Sequence, residues 1–180
     1  MNISFVIVSY KSFHLIEKHI QSIPRENEII IIENSLDKDV KYKFEKLYSN
    51  VQVVIPQSNL GYGKALNLGL QIAKSNFVMC MASDIKIEKK CLIGISEILN
   101  KFNDFSILSP TYINENIHKN YTMGKNNQQS EKNKNILNFS LKQVDEVDGA
   151  ILIINKKKFA DNNILDENIF LYFENVDLCF

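Results

Sequence analysis

Arginine, cysteine and long apolar runs are scarce in this chain of 180 residues. Arg25 is the only arginine, so an anion would be bound by lysine, backbone N–H groups or a metal rather than by a guanidinium fork. Cys80, Cys91 and Cys179 show neither a pairing pattern nor metal-ligand spacing, which favours a reducing compartment; Cys80 lies in an apolar run typical of a core. No apolar stretch approaches the roughly 20 residues that span a bilayer, and the N-terminus lacks the cationic region of a signal peptide. We therefore predict a cytoplasmic protein.

Net charge is also lacking, because 21 basic side chains balance 21 acidic ones. This balance argues against a nucleic-acid partner bound through counterion release, and against a polybasic membrane anchor. Apolar residues make up 45% of the chain. A chain of this length and composition is expected to form one globular domain whose core needs no disulfide or metal.

Short apolar runs alternate with segments of helical periodicity over the first 110 residues. The predicted strands cover residues 3–8, 28–32, 51–55, 77–81 and 106–108. Apolar residues recur at helical spacing within 13–20, 40–48, 63–74 and 91–102. This alternation predicts β-α-β units, and therefore an α/β fold with a mostly parallel central sheet flanked by helices.

Residues 113–138 break the alternation, because they are rich in Asn, Lys, Gln and Glu and hold few apolar anchors. A segment this long without periodicity is either a functional lid or a disordered excursion. Two strand-like runs follow at 144–147 and 150–154, and a strongly apolar run covers 169–173.

Polar residues follow the predicted strands at the points where the strands end. They are Ser9, Tyr10, Glu33, Asn34, Ser35, the segment Asn59–Lys64, Ser83 and Asp84. The carboxyl ends of parallel strands meet at one edge of a sheet, which is where ligands bind in open α/β folds. The sequence therefore predicts a binding site at that edge.

The segment Asn59–Asn67 is rich in glycine and opens a predicted helix. Glycine lets a backbone approach a ligand closely, a helix N-terminus favours anions, and Lys64 adds a positive charge. The segment matches neither a P-loop nor the dinucleotide fingerprint. A plain strand-to-helix turn is the competing interpretation.

Three acidic residues are candidates for chemistry. Asp84, at the tip of a predicted central strand, is suited to a divalent cation that neutralises a diphosphate, although a turn or capping role is equally compatible with the pattern. Glu174 and Asp177 are three residues apart in a predicted helical turn, where one of them would serve as a general base. The alternative is a solvated helix start with acidic residues near its N-terminus.

In order and spacing, these segments together resemble a bacterial family 2 glycosyltransferase of the rhamnosyltransferase-like group, which has a GT-A fold. The matching segments are Phe5–Tyr10, Ile31–Ser35, Asn59–Asn67, Ala82–Asp84, Val147–Ala150 and Asp166–Cys179. The last one is similar to the family signature Phe-Asp-Glu…Tyr-Phe-Glu-Asp-Val-Asp-Leu-Cys. The resemblance implies a Rossmann-like nucleotide-binding sheet with a small acceptor-side portion.

The resemblance further implies inverting transfer of a sugar from a UDP- or dTDP-sugar to a glycan or lipid-linked acceptor hydroxyl, in bacterial surface polysaccharide synthesis. It implies a donor nucleotide site formed by Ser9, Tyr10, Glu33, Asn59, Gly61, Lys64, Asn67 and Ser83. Asp84 would hold Mg²⁺ or Mn²⁺, Asp148 and Gly149 would line the acceptor side, and Glu174, Asn175 and Asp177 would occupy the catalytic turn. Such an enzyme would work in the cytoplasm, with peripheral association at the inner face of the membrane left open.

On this basis we divide the single domain into a nucleotide-sugar-binding part (1–110), a polar excursion or lid (111–143) and an acceptor and base part (144–180). The family normally continues beyond this point, so the acceptor part is expected to be truncated. Other departures from the family pattern are Asn175 at the base position, Ala82 in the metal motif and Glu33 in place of Asp.

Two alternatives remain beside the active transferase. The first is a catalytically impaired nucleotide-sugar-binding remnant, because the neutral amide of Asn175 cannot accept a proton. The second is a sugar nucleotidyltransferase, which ranks lower because Ser9–Ser12 lacks the glycine-rich loop of that class.

Overall fold

The computed structural model describes residues 3–111, 121–122, 134–136, 139–172 and 174–179. The main strands are β1 (Ile3–Ser9), β2 (Ile29–Glu33), β3 (Val51–Val54), β4 (Phe77–Ala82), β5 (Ile107–Leu108) and β10 (Ile151–Asn155). Shorter strands are β6 (Tyr121–Thr122), β7 (Lys134–Ile136), β8 (Phe139–Leu141) and β9 (Glu146–Val147). The helices are α1 (Phe13–Ile20), α2 (Lys38–Leu47), α3 (Tyr62–Ile72), α4 (Lys89–Lys101) and α5 (Glu174–Cys179), with a 3₁₀ turn at Lys156–Lys158.

The six main strands form one sheet in the order β3-β2-β1-β4-β10-β5. Strands β1 to β4 are parallel, while β10 runs antiparallel to both of its neighbours, β4 and β5. The predicted α/β fold with a mostly parallel sheet is therefore confirmed. Because β10 runs in the opposite direction, its start lies at the edge where the parallel strands end. This direction brings residues 148–150 to the predicted binding edge.

The sheet is covered on both faces, which explains its nearly continuous apolar strands. On one face, alternate residues of β1 pack with apolar side chains of α1, α2 and α4. On the other face, Val6 and Val8 pack with α3 and with Leu165. Cys80 is buried there, as predicted. Helix α3 lies so close to β1 that a Cβ on Gly69 would sit 2.2 Å from Val6 Cγ1.

Several segments differ from their predicted structure. The strand predicted at 144–147 is shorter in the structure, where it covers only Glu146–Val147 and pairs with Tyr121–Thr122. No element is predicted for the apolar run that precedes α5, and its residues Phe170, Leu171 and Tyr172 are exposed. The interpretation of 113–138 as a lid or a disordered excursion falls outside the described residues, apart from 121–122 and 134–136.

Candidate active site

The ends of β1 and β2 form a recess of about 280 Å³, which we call the Glu33 recess. Ser9 and Glu33 are both fully buried and face each other in the strand register. Glu33 Oε1 accepts hydrogen bonds from the Ser35 N–H (2.9 Å) and the Ser35 hydroxyl. Glu33 Oε2 is also buried, but it has no hydrogen-bond partner within the described part of the chain. A buried acceptor without a donor is costly, so this oxygen is a strong candidate for ligand contact.

Backbone strain is concentrated at the same edge of the sheet. Among the described non-glycine residues, only Lys11, Leu36 and Tyr172 adopt left-handed φ angles, of 53°, 63° and 67°. Lys11 lines the Glu33 recess, and Leu36 follows the recess residue Ser35. Strained residues persist where the surrounding structure enforces them, which is common at functional sites.

The glycine-rich loop is held beside this recess by Asn34, which is buried. Its Nδ2 donates to the Gly61 carbonyl (2.9 Å), and its Oδ1 accepts from the Leu60 N–H (3.3 Å). Asn59 Oδ1 accepts the Gly61 N–H at 3.0 Å. The sequence placed Asn34 at this edge, directly after a strand, but indicated no role for it.

Gly61 itself is required by a close approach of the residue 170 segment. Its φ is +77°, and a Cβ there would lie 2.2 Å from the Phe170 carbonyl oxygen. That carbonyl accepts the Tyr62 N–H at 2.9 Å. The loop is thus fixed between Asn34 on one side and the chain before α5 on the other.

Tyr62 connects this loop to the acceptor side, a role that the sequence did not reveal. Its hydroxyl donates to the Gly149 carbonyl at 3.1 Å. Burial raises the pKa of Tyr62, and the Cys80 thiol and the carboxylates of Glu174, Asp84 and Asp148 raise it further. The hydroxyl therefore stays protonated at physiological pH, with three of the predicted acidic residues within electrostatic reach.

Other predicted nucleotide-binding residues are less closely associated with the recess. The Asn67 amide is buried and fully engaged with the backbone, donating to Leu165 O (2.8 Å) and accepting from Ile164 N and Leu165 N (3.0 Å each). Lys64 Nζ lies 3.3 Å from Glu167 Oε2 in an exposed ion pair. Tyr10 is exposed, with the Lys11 ammonium 5.4 Å from its ring centroid. The roles predicted for these residues in donor binding stay predictions.

Asp84 is exposed in the turn that follows β4, beside the half-buried Ser83. No group of three or more His, Cys, Asp or Glu side chains suited to a metal occurs among the described residues. One carboxylate still fits a Mg²⁺- or Mn²⁺-type ion, because such an ion commonly takes its remaining ligands from substrate phosphates and water. The exposed carboxylate of Asp84, in the turn after β4, is accessible to such an ion.

The predicted acceptor and catalytic residues meet where β10 begins and α5 starts. Asp148 Oδ1 accepts the Ala150 N–H (2.8 Å), while a Cβ on Gly149 would lie 3.1 Å from Asn175 Cβ. Asn175 Nδ2 donates to the Val147 carbonyl at 2.8 Å. The neutral amide at the expected base position is thus bonded to the backbone.

The two candidate carboxylates of α5 differ in their surroundings. Glu174 is buried, and its Oε2 has no hydrogen-bond partner within the described ranges, whereas Asp177 is exposed. Gly63 lies directly against Glu174, so that a Cβ atom added to this glycine would be 3.4 Å from Glu174 Cβ. Of the two carboxylate residues, Glu174 is therefore the one that lies next to the glycine-rich loop.

Known proteins are similar to this chain in sequence. The family model "Glycosyl transferase family 2" matches residues 4–161. The low-salt glycan biosynthesis hexosyltransferase Agl10 of Haloferax volcanii is 24% identical over 194 aligned positions, which cover 99% of this chain and 61% of that protein.

Solved structures share the fold at low sequence identity. S. aureus TarS 1–349 in complex with UDP has a TM-score of 0.70 and 18% identity, over 99% of this chain and 54% of that one. GalNAc-T7 with UDP, GalNAc and Mn²⁺ has a TM-score of 0.73 and 15% identity, over 100% of this chain and 40% of that one.

This chain therefore spans about two fifths to three fifths of the length of these proteins. Among the described helices, none combines the length and apolarity needed to cross a membrane. The sheet and its flanking helices have the GT-A arrangement of the solved glycosyltransferases, which confirms the predicted fold. With the family model matching most of its length, the chain belongs to glycosyl transferase family 2.

Proposed function

We propose that this chain carries the donor site of an inverting glycosyltransferase that moves a sugar from a UDP- or dTDP-sugar to an acceptor hydroxyl. The observation that carries the proposal is the buried Glu33 Oε2 without a hydrogen-bond partner in the described structure, inside the Glu33 recess. Family membership supports the reaction class. Synthesis of a surface polysaccharide, a lipid-linked or glycan acceptor and a rhamnosyl-type sugar remain predictions from the sequence, as does a cytoplasmic location.

The chemistry of Glu33 favours a pyrimidine nucleotide. Its Oε1 is already engaged by Ser35, so one carboxylate oxygen is available to a ligand. Uracil and thymine each present a single imide N–H between two carbonyls, which matches one acceptor. Guanine presents two adjacent donors, N1–H and N2–H, of which a single oxygen would leave one unsatisfied. A hydrogen bond to a charged group contributes about 1.5–3 kcal/mol.

For the transfer itself, we propose Glu174 as the general base. The acceptor oxygen attacks the anomeric carbon, the bond from that carbon to the diphosphate oxygen breaks, and the diphosphate leaves with the electron pair. The acceptor proton passes to the Glu174 carboxylate, whose Oε2 is buried without a hydrogen-bond partner within the described ranges. Attack opposite the leaving group inverts the anomeric configuration. A divalent cation held by Asp84 would stabilise charge on the departing diphosphate.

The donor site is tested by calorimetric titration of UDP and dTDP, each with and without Mn²⁺. We expect saturable binding that Mn²⁺ strengthens, and an Asp84→Ala variant that loses the Mn²⁺-dependent increase. GDP is the matched control and should bind at least about tenfold more weakly, since one of its donors would be unsatisfied. Absence of UDP and dTDP binding by a folded chain contradicts the proposal.

The base is tested by release of UDP from a panel of UDP-sugars, with water as the default acceptor. Glu174→Gln should lower turnover by about 10²–10⁴-fold while UDP affinity is retained. Asp177→Asn is the matched control and should change turnover little. Equal losses in both variants would contradict the assignment of the base to Glu174.

A nucleotide-sugar-binding protein without transfer activity is the second candidate. The observation that favours it is Asn175, a neutral amide already bonded to the Val147 carbonyl at the position where the family signature has aspartate. This candidate predicts UDP binding with no turnover of any UDP-sugar. Asn175→Asp would then restore turnover, whereas an enzyme that uses Glu174 would gain little from the same change.

A further inference from the structure

His19 of α1 contacts the turn that carries the proposed metal ligand. Its Nδ1 lies 3.2 Å from the carbonyl oxygen of Ser83, the residue directly before Asp84. A carbonyl oxygen can only accept a hydrogen bond, so the ring nitrogen facing it must carry the hydrogen. His19 is half-buried, and its contact joins two elements that are 64 residues apart in the chain.

The contacted carbonyl belongs to the central peptide of a β-turn. The Ile85 N–H donates to the Ala82 carbonyl at 3.2 Å, which makes Ser83 and Asp84 the two middle residues. Type I and type II turns differ by a flip of this central peptide, which reverses the direction of its carbonyl and changes φ of the third residue from negative to positive. Among the described residues, Asp84 is not one of those with positive φ. The turn therefore has the peptide orientation in which the Ser83 carbonyl reaches His19.

The other end of the turn is fixed by the sheet. The Ala82 N–H donates to the Ala150 carbonyl at 2.9 Å, next to the pairing of β4 with β10. The described hydrogen bonds thus hold the start of the turn through β10 and its central peptide through His19. The second of these bonds contacts the peptide that directly precedes Asp84.

We propose that His19 is a positioning residue for the metal site: its Nδ1–H bond to the Ser83 carbonyl holds the Ala82–Ile85 turn in the orientation that presents Asp84 to the cation. This inference rests on the proposed function, in which Asp84 holds Mg²⁺ or Mn²⁺ beside a nucleoside diphosphate. Without the bond, only the preference of a non-glycine third residue for negative φ favours this orientation, so the fraction of molecules that present Asp84 to the cation falls.

The test is UDP affinity measured with and without Mn²⁺. The ratio of the affinity with Mn²⁺ to the affinity without it isolates the contribution of the metal. In His19→Leu we expect this ratio to fall about three- to tenfold, the effect of one neutral hydrogen bond, with metal-free UDP affinity unchanged. His19→Asn should retain most of the ratio, since its amide nitrogen branches from Cγ as Nδ1 does. His14→Leu is the matched control, because His14 is an exposed histidine of the same helix that packs against Phe13.

The outcomes separate this inference from the proposed function. If the parent chain binds UDP with a clear Mn²⁺ dependence that His19→Leu leaves unchanged, the inference is wrong and the proposed function stands. If the parent chain binds no UDP, both are wrong. If the ratio of UDP affinities with and without Mn²⁺ falls as much in His14→Leu as in His19→Leu, the inference is also overturned.

A second measurement does not depend on the stability of any variant. Nitrogen-15 NMR of the parent chain should show the neutral imidazole of His19 as the Nδ1–H tautomer. The Nε2–H tautomer would place a lone pair against the Ser83 carbonyl and would overturn the assignment.

Discussion

A glutamate lies at each end of the central sheet, and the two carboxylates differ in the groups that they contact. At the amino end, Glu28 Oε2 accepts from the Ser4 hydroxyl (2.7 Å) and the Lys74 N–H (2.9 Å). Its buried Oε1 has no hydrogen-bond partner in the described structure, but it lies 3.3 Å from Lys74 Nζ in an ion pair. At the carboxyl end, five residues later in the chain, Glu33 Oε2 is also buried without a hydrogen-bond partner in the described structure. Glu28 is thus paired with a lysine, whereas Glu33 is the residue that we propose to contact the donor nucleotide.

Size alone would favour the amino end of the sheet over the end that we propose. A recess of about 470 Å³, larger than the Glu33 recess, lies there and is lined by Asn27, Glu28 and Asn50 among others. Asn27 Nδ2 donates to Ile3 O (3.0 Å) and Asn50 Nδ2 donates to Asn27 O (2.8 Å), so these amides hold the chain together. The smaller Glu33 recess combines an unsatisfied carboxylate oxygen with strained backbone. Left-handed backbone at Lys11 and Leu36, rather than an oxygen without a hydrogen-bond partner, distinguishes the Glu33 recess from the larger one.

The largest expected effect tests the carboxyl end. Glu33→Gln should weaken UDP binding by roughly 10- to 100-fold, because an uncharged amide replaces the acceptor for the base N–H. The free energy of unfolding should change by less than about 1 kcal/mol, since the parent oxygen makes no hydrogen bond within the described structure. Calorimetry gives the affinity and urea denaturation gives the stability. A large loss of stability with unchanged affinity would reverse the assignment of the two ends.

The reciprocal substitution tests the amino end. Glu28→Gln should lower the free energy of unfolding at pH 7 by about 1–2 kcal/mol, because the charged acceptor for Ser4 and Lys74 is lost. UDP affinity should stay within about twofold of the parent value, since this residue lies at the opposite edge from Glu33. A drop in UDP affinity as large as that of Glu33→Gln would abolish the distinction between the ends.

The pH dependence of stability sharpens the role of Glu28. Burial tends to raise the pKa of Glu28, but hydrogen bonds from Lys74 and Ser4 and the Lys74 charge outweigh it, so the pKa is held below the ordinary value of 4.5. A carboxyl with a lowered folded pKa contributes stability above its unfolded pKa, and the contribution is lost as pH falls through the folded pKa. The stability difference between the parent and Glu28→Gln should therefore be constant from pH 6 to 7 and shrink below about pH 4.5. Denaturation curves across this range check it, and a difference that grows on acidification would contradict it.

The smallest stability effect is expected for Lys64, on the rim of the carboxyl end. Its ion pair with Glu167 is exposed, so Lys64→Gln should change the free energy of unfolding by less than about 0.5 kcal/mol. If Lys64 also contacts the donor diphosphate, affinity for UDP should fall while affinity for uridine stays the same. Lys74→Gln, which removes the lysine paired with Glu28 at the amino end, is the control and should affect neither ligand. An equal fall for UDP and uridine in Lys64→Gln would contradict a diphosphate contact.

Periodicity predicted the fold well because buried strands and amphipathic helices leave a local pattern. The runs at 3–8 and 77–81 became β1 and β4 to within a residue or two, and the helices kept their positions. The apolar run at 169–173 had no periodicity that predicted its structure. Within it, the side chain of Phe170 is exposed, while its carbonyl accepts the Tyr62 N–H.

Site residues were predictable only where they follow a strand. Ser9, Glu33 and Asp84 were identified by that rule, and the structure brings the ends of their strands to one edge. The same rule placed Asn34 and Tyr62 at this edge without a role, and His19 was not identified. Their partners Gly61, Gly149 and Ser83 are 27, 87 and 64 residues away along the chain. No local pattern records a contact of that range.

The sequence by itself determined the strand and helix alternation, the absence of net charge and the glycine at position 61. Each follows from local chemistry, since burial, charge and backbone freedom belong to individual residues and their neighbours. Only the tertiary structure decided that β10 runs antiparallel, that Glu33 retains a buried oxygen without a hydrogen-bond partner in the described structure, and that His19 reaches the turn before Asp84. These properties depend on which distant groups pack together, because a buried polar atom is satisfied or left unsatisfied only by what the fold brings beside it.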